Sequence, residues 1–232
     1  TAKIGYYPSV YLVYKGVPAG HPDENALKIA LSLLSNGSNT GALNKLIIDG
    51  ELTSGYATTL TFREQGRNIV QVTPLYDENQ RRFESNKSAE KKALKAIEKI
   101  ANGDFEDWTI DAIKNNMCRD FDLMMEDNET KAEMLLEAFT NEQDLGKVLN
   151  YKDEIMSITN EDIKRVAKQY LTNDYLALYI EKGKTSKEGK LKKPEYKPIE
   201  PPVGKQSLYA TQFKSMPIGQ VEIGRASCRE RV

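Results

Sequence analysis

Two hydrophobic periods alternate along this chain of 232 residues, and their order constrains the fold more than any other feature. In the run KIGYYPSVYLVYKGV, Lys3 to Val17, the set Val10, Leu12 and Tyr14 alternates with Tyr11, Val13 and Lys15, the period of two that marks a strand. Its density of Tyr and Val predicts a strand largely covered on both faces. Pro18, Gly20 and Pro22 then punctuate a turn, and Asp23 is placed to cap a helix. Ala26, Leu27, Ile29, Ala30, Leu33 and Leu34 recur at helical spacing until Asn36 and Gly37 end the pattern.

After the polar loop SNGSNTG, Leu43, Leu46 and Ile47 predict a short helix ending at Asp49 and Gly50. Leu52 to Glu64 and Arg67 to Leu75 then read as two strands joined through Gln65 and Gly66, an antiparallel hairpin. From Ser88 to Ile100, Ala89, Ala93, Leu94, Ile97 and Ile100 form one stripe opposite lysines, and Asn102 and Gly103 close that helix. Helices over Glu106 to Glu126 and Glu129 to Asn141 come next, the second entered through Asp127 and Asn128. Thr159 with Asp162 has the spacing of a capping box for a helix ending near Leu171, and YLALYI, Tyr175 to Ile180, reads as a last strand. Strands and helices in this mixed order predict an α+β fold, a two-layer sandwich with a mostly antiparallel sheet covered by helices on one face.

The balance of 33 Lys and Arg against 34 Asp and Glu leaves a net charge of −1, with no cationic excess to neutralise a nucleic-acid backbone. No apolar run approaches the roughly 20 residues that cross a bilayer. No basic and apolar leader comes after Thr1, and the absence of a start methionine there suggests that part of a longer protein precedes it.

Residues 1–182 are read as the folded domain. Residues 183–222 are read as a linker, because GKTSKEGKLKKPEYKPIEPP, Gly183 to Pro202, is rich in Lys and Pro and poor in large apolar side chains. Its prolines favour an extended, semi-rigid connector to a further part of the protein. Residues 223–232, IGRASCRERV, break from this composition and match, codon for codon, the translation ATC GGA AGA GCG TCG TGT AGG GAA AGA GTG of a sequencing-adapter oligonucleotide. They are set apart from the fold as an artefact, which leaves Cys118, in a helical pattern, as the remaining cysteine and a half-buried structural thiol.

His21 is the sole histidine, so HxxEH, HExxH and Cys2His2 zinc sites cannot be assembled from these residues. It sits between Gly20 and Pro22 and reads as a turn residue. The acidic cluster Asp120, Asp122, Glu126, Asp127 and Glu129 lacks the calcium-loop spacing and reads as a solvated helix face with a cap. SNGSNTG comes after a helix and has no Lys-Ser or Lys-Thr behind it, so it is no phosphate cradle.

The succession of a strand, then GHPDENALKIALSLLSNGSNTGALNKLIIDGELTSGYAT, then a hairpin resembles the non-catalytic domain of the pitrilysin and insulinase (inverzincin) zinc metallopeptidases. The matching positions are His21, Pro22, Asp23, Leu33, Leu34, Gly37, Leu43, Leu46, Leu52, Gly55 and Tyr56. The resemblance runs from Lys3 to Ile180, and the Lys- and Pro-rich segment resembles the hinge between the two halves of single-chain members. It implies a processing-peptidase-like domain that holds peptide substrate, with no cofactor of its own. The zinc, its HxxEH helix and a distal Glu are implied in a neighbouring catalytic domain of the same chain. In some members an Arg and Tyr pair near a hairpin strand holds substrate, and the candidates here are Arg67 and Tyr76, which open and close the RNIVQV strand. The residues alone equally allow a surface arginine at a hairpin turn and a tyrosine packed at a strand end. Many bacterial members act outside the cytoplasm, which implies a periplasmic setting. Two other readings stand beside this one: a scaffold subunit of the same fold without peptidase activity, and an unrelated α+β binding module.

Overall fold

Val10, Leu12 and Tyr14 project from one face of β2 (Ser9–Gly16) and are at most 1% exposed, as their alternation requires. The computed structural model that contains them describes residues 1–5, 7–171, 174–183, 195 and 206–216. Around β2 lie β1 (Ala2–Gly5), β3 (Leu52–Thr61), β4 (Gly66–Pro74) and β7 (Tyr175–Lys182), in the order β1-β7-β2-β4-β3. All neighbours pair antiparallel except β1 and β7, which are parallel. Val70 and Val72 of β4 carry the buried stripe across from β2, with Val10 opposite Val72 and Leu12 opposite Val70.

Helices cover that face. In α1 (Glu24–Leu34) the apolar positions Leu27, Ile29, Ala30 and Leu34 are fully buried. In α3 (Asn86–Asn102) Ala89 and Ala93 are fully buried and Ile97 and Ile100 nearly so, while the lysines of its other face meet solvent. Ser85 Oγ accepts the Ser88 amide at 3.2 Å to open α3, and Gly103, at φ +79°, closes it in the left-handed region that favours glycine. The remaining helices of this unit are α2 (Ala42–Ile48), α4 (Asp107–Met124), α5 (Asn128–Thr140), α6 (Leu145–Leu149), α7 (Tyr151–Ser157) and α8 (Asn160–Tyr170), of which α5 and α6 are largely exposed. At the start of α8 the expected capping box is present: Thr159 Oγ1 accepts the Asp162 amide at 3.2 Å and Asp162 Oδ2 accepts the Thr159 amide at 3.0 Å. The fold is thus α+β with a mostly antiparallel sheet, as the element order indicated.

Several expectations are corrected. The run from Lys3 to Val17 forms two strands that pair separately, because Pro8, with no N–H to offer a ladder, falls between them. The second face of β2 is only half-covered: Tyr11 and Val13 lie opposite Leu178 and Leu176, on the side of the sheet away from the buried stripe. The hairpin loop is Phe62 to Gln65, closed by the Phe62 amide donating to the Gln65 carbonyl at 2.9 Å, while Gly66 already pairs inside the sheet. Asp23 occupies the cap position of α1 but its carboxylate bonds elsewhere. The short hairpin of β5 (Tyr76–Asp77) and β6 (Arg82–Phe83), and helices α6 and α7, have too few residues to display a period and were not expected.

Residues 1–186 form one compact unit and 187–232 another. In the second, the described residues contain α9 (Leu208–Ser215), opened by Ser207 Oγ accepting the Ala210 amide at 3.1 Å. Most of the segment read as a linker, and all of 223–232, lie outside the described residues.

Candidate functional site

The His-Pro-Asp-Glu turn is a clasp. Asp23 Oδ1 accepts from Arg165 Nη2 at 2.6 Å and Oδ2 accepts from the Tyr170 hydroxyl at 2.8 Å, tying the start of α1 to α8. Arg165 holds the Asp23 carboxyl below the usual carboxylate range, against the opposing effect of burial, and Tyr170 adds to the lowering. Glu24 accepts the Gly20 amide at 2.6 Å and the Thr61 hydroxyl at 3.0 Å, and pairs with Lys28 at 2.8 Å, joining the turn to the end of β3. Burial raises its pKa, and these partners together outweigh that and leave it lowered. The turn that carries part of the family resemblance therefore holds elements in place.

His21 Nδ1 accepts the Asp23 amide at 3.1 Å. Cys118 is half-buried and packs against the core. Asp127 Oδ2 accepts the Thr130 amide at 2.7 Å as a helix cap, and Asp122 pairs with Lys152 at 2.8 Å. The residues present do not fit a catalytic zinc ion of the HxxEH kind, because the sequence holds a single imidazole, and among the described residues no three His, Cys, Asp or Glu side chains are grouped to hold a metal. Among them, too, no helix is long and apolar enough to cross a membrane.

Arg67 and Tyr76 stand at opposite ends of β4, separated by roughly 20 Å or more of strand at about 3.3 Å per residue. Arg67 lies opposite Leu60 of β3 and Lys15 of β2, with its guanidinium 5.6 Å from the centre of the Phe62 ring. Tyr76 opens β5, its amide donating to Thr53 Oγ1 at 3.1 Å, and the residue is 41% exposed. The geometry does not bring the two together.

Tyr76 does line a cavity of about 970 Å³ formed with Tyr7, Arg81, Arg82, Phe83 and Lys182, among others. The Phe83 ring stands edge-on to Tyr7 at 5.8 Å and to Tyr76 at 4.9 Å. Beneath the start of α3, Lys87 bonds the Tyr179 hydroxyl and pairs with Glu90 at 3.0 Å, and Glu90 also accepts from Tyr179 at 2.9 Å and Tyr175 at 3.2 Å. Burial raises the Glu90 pKa, but this ring of donors lowers it further than burial lifts it. Sequence reasoning passed over Tyr7, Arg82, Phe83 and Lys182. The run Arg81-Arg82-Phe83, a basic pair beside an aromatic, was the one local signal.

At the sheet margin, β3 has no strand partner on its outer side among the described residues. Tyr56 and Leu60 on it are 44% and 37% exposed. Counting the antiparallel alternation back from the Phe62–Gln65 bond places the Ala57 and Thr59 amides on that outer side.

Residues 6–117 match the family model described as the peptidase M16 inactive domain. No curated protein matches the chain significantly. Among solved structures, a protease from Helicobacter pylori superposes with a TM-score of 0.67 at 18% identity over 76% of this chain, which spans 42% of that protease. An inactive peptidase domain from Bordetella parapertussis gives 0.66 at 16% identity, over 82% of this chain and 99% of that one. A peptidase M16 inactive domain from Pseudomonas fluorescens gives 0.62 at 13% identity, over 80% and 43%. The family match agrees with the resemblance read from the sequence, and the shared fold with the order of elements: within residues 6–117 this chain carries a peptidase M16 inactive domain, the non-catalytic domain of the pitrilysin and insulinase zinc metallopeptidases.

Proposed function

We propose that this domain holds extended peptide substrates for a zinc metalloendopeptidase whose metal and general base reside in a catalytic domain elsewhere in the same protein. The observation that supports it is β3, a ten-residue strand on the sheet margin with outward amides at Ala57 and Thr59 and exposed apolar side chains at Tyr56 and Leu60. A peptide added there gains backbone hydrogen bonds that do not depend on its sequence, which suits an enzyme acting on varied peptides. Residues 1–182 act as the substrate-holding wall and 183–222 as the connector to the rest of the protein. Zinc chemistry belongs to the partner domain.

Hydrogen exchange of this chain tests the reading. An unstructured peptide is expected to slow exchange at Ala57 and Thr59 while leaving β2, which is paired on both sides inside the sheet, unchanged; no protection along β3 at saturating peptide would sink it. The isolated chain with added zinc is expected to hydrolyse no peptide, and turnover that survives removal of contaminating proteases would contradict the assignment of chemistry to another domain.

In the complete enzyme, Arg67→Ala and Tyr76→Ala are each expected to lower kcat/KM by about three- to tenfold, on the order of 1 kcal/mol of lost binding. Unchanged kinetics in both variants would return Arg67 to its Phe62 contact and Tyr76 to its packing on Phe83.

A further inference from the structure

We propose that the aromatic cavity beside the β5–β6 hairpin is a subsite for a carboxylate-bearing peptide segment carrying a neighbouring flat or aliphatic side chain. The inference rests on the peptide-holding reading above and adds a preference to it. Three features of the cavity combine. Its wall is aromatic: Tyr7, Tyr76 and Phe83 present edges and faces to a space of about 970 Å³, and Tyr7 and Tyr76 are 68% and 41% exposed rather than consumed by the core. Large exposed aromatics gathered at one concave place are what a recognition surface requires.

Its cations are available. Arg81, Arg82 and Lys182 line the cavity, and among the described residues none of them has a carboxylate within salt-bridge distance. The nearby anions are largely committed. Glu84 is held by Lys92 at 3.1 Å and Ser88 at 2.9 Å, and Asp77, opposite Arg82 in the hairpin, accepts the Asn79 and Gln80 amides at 2.9 and 3.0 Å. Glu181 is the further carboxylate on the lining.

Its hairpin is built to present these side chains. The Glu84 amide closes the base on the Leu75 carbonyl at 2.8 Å, and Arg81 sits at φ +50°, a backbone region that few non-glycine residues adopt. Observed strain of this kind accompanies sites where a side chain must be aimed. Guanidinium groups take carboxylates through paired hydrogen bonds, while the rings take the adjacent side chain, so the two halves of the lining select two halves of one ligand.

The test is fluorescence anisotropy of the full chain with fluorescein-labelled dodecapeptides of alternating Glu and Phe, C-terminally amidated. A matched peptide has Lys for Glu, and a third has Gln for Glu with a free C-terminal carboxylate. The Glu peptide is expected to bind about tenfold or more tightly than the Lys peptide, with the difference shrinking as salt rises. Arg82→Glu, at an exposed position, is expected to abolish the preference, and Tyr76→Ala to weaken both peptides. Tight binding of the third peptide would assign the carboxylate to the chain end, and binding of the first alone to side chains. Equal affinity for the Glu and Lys peptides, or no effect of Arg82→Glu, overturns the subsite and leaves the β3 reading standing. Failure of every peptide to bind overturns both.

Discussion

Gly66→Ala should lower the stability of the folded domain by about 3 kcal/mol or more, the scale of a disrupted backbone junction. Gly66 pairs at once with Gly16 of β2 and Thr61 of β3, in the middle of three strands. A Cβ added there would stand 2.1 Å from the Val17 carbonyl oxygen and 3.0 Å from that of Leu60. Both are backbone atoms, so no side chain can swing aside, and the strands must part. At Gly37, by contrast, a Cβ meets nothing within 4 Å, and Gly37→Ala should fall within about 0.5 kcal/mol of the parent. Urea midpoints of the three proteins check this; a Gly66→Ala midpoint equal to that of Gly37→Ala would show that the junction relaxes without cost. Because Arg67 is the next residue after Gly66, loss of this junction should also displace the candidate arginine.

Asp23→Ala should cost about 1–3 kcal/mol, the scale of hydrogen bonds to a charged group, reduced because Arg165 is half-exposed. For a domain of this size the melting temperature should fall by roughly 2–4 °C per kcal/mol. The loss should also depend on pH. Arg165 depresses the folded-state pKa of Asp23, so over the window between the folded and unfolded values the unfolded chain binds the proton that the native state refuses. The stabilisation is therefore full above the unfolded value of about 3.9 and disappears as pH falls through the lower folded value. Glu24 and Glu90, also lowered, add to the same acid-side loss. Unfolding free energies at pH 6, 4 and 3 should show a shallower decline in Asp23→Ala than in the parent. Parallel declines would mean that Asp23 contributes no linkage.

Much of this architecture is local and was legible. The apolar stripes of α1 and α3, the Gly103 stop, the Asp127 cap and the Thr159–Asp162 box are interactions within a few residues, and the side chains that make them sit where their spacing placed them. The hairpin was recognisable from the Gln65 and Gly66 turn signal between two strand-like runs, read as Leu52 to Glu64 and Arg67 to Leu75, which pair antiparallel as β3 and β4. The break at Pro8, which divides a run read as one strand, was missed, and the hairpin loop from Phe62 was displaced by a few residues, since strand ends depend on which partner is available.

The candidate site divides differently. Sequence alone determined that an HxxEH or HExxH zinc helix cannot be built from these residues, because one histidine cannot supply two imidazole ligands, and it determined the alternation that buries one sheet face. Tertiary structure alone decided that Asp23 would leave its helix for partners 142 and 147 residues away. It likewise separated Arg67 from Tyr76 and set Tyr76 beside Tyr7, Phe83 and Lys182 instead. The physical reason is that a carboxylate or an aromatic ring near a chain turn has several partners of similar energy. Only the packing of distant elements, here β1, β7 and the hairpin after β4, determines which of them stands within reach.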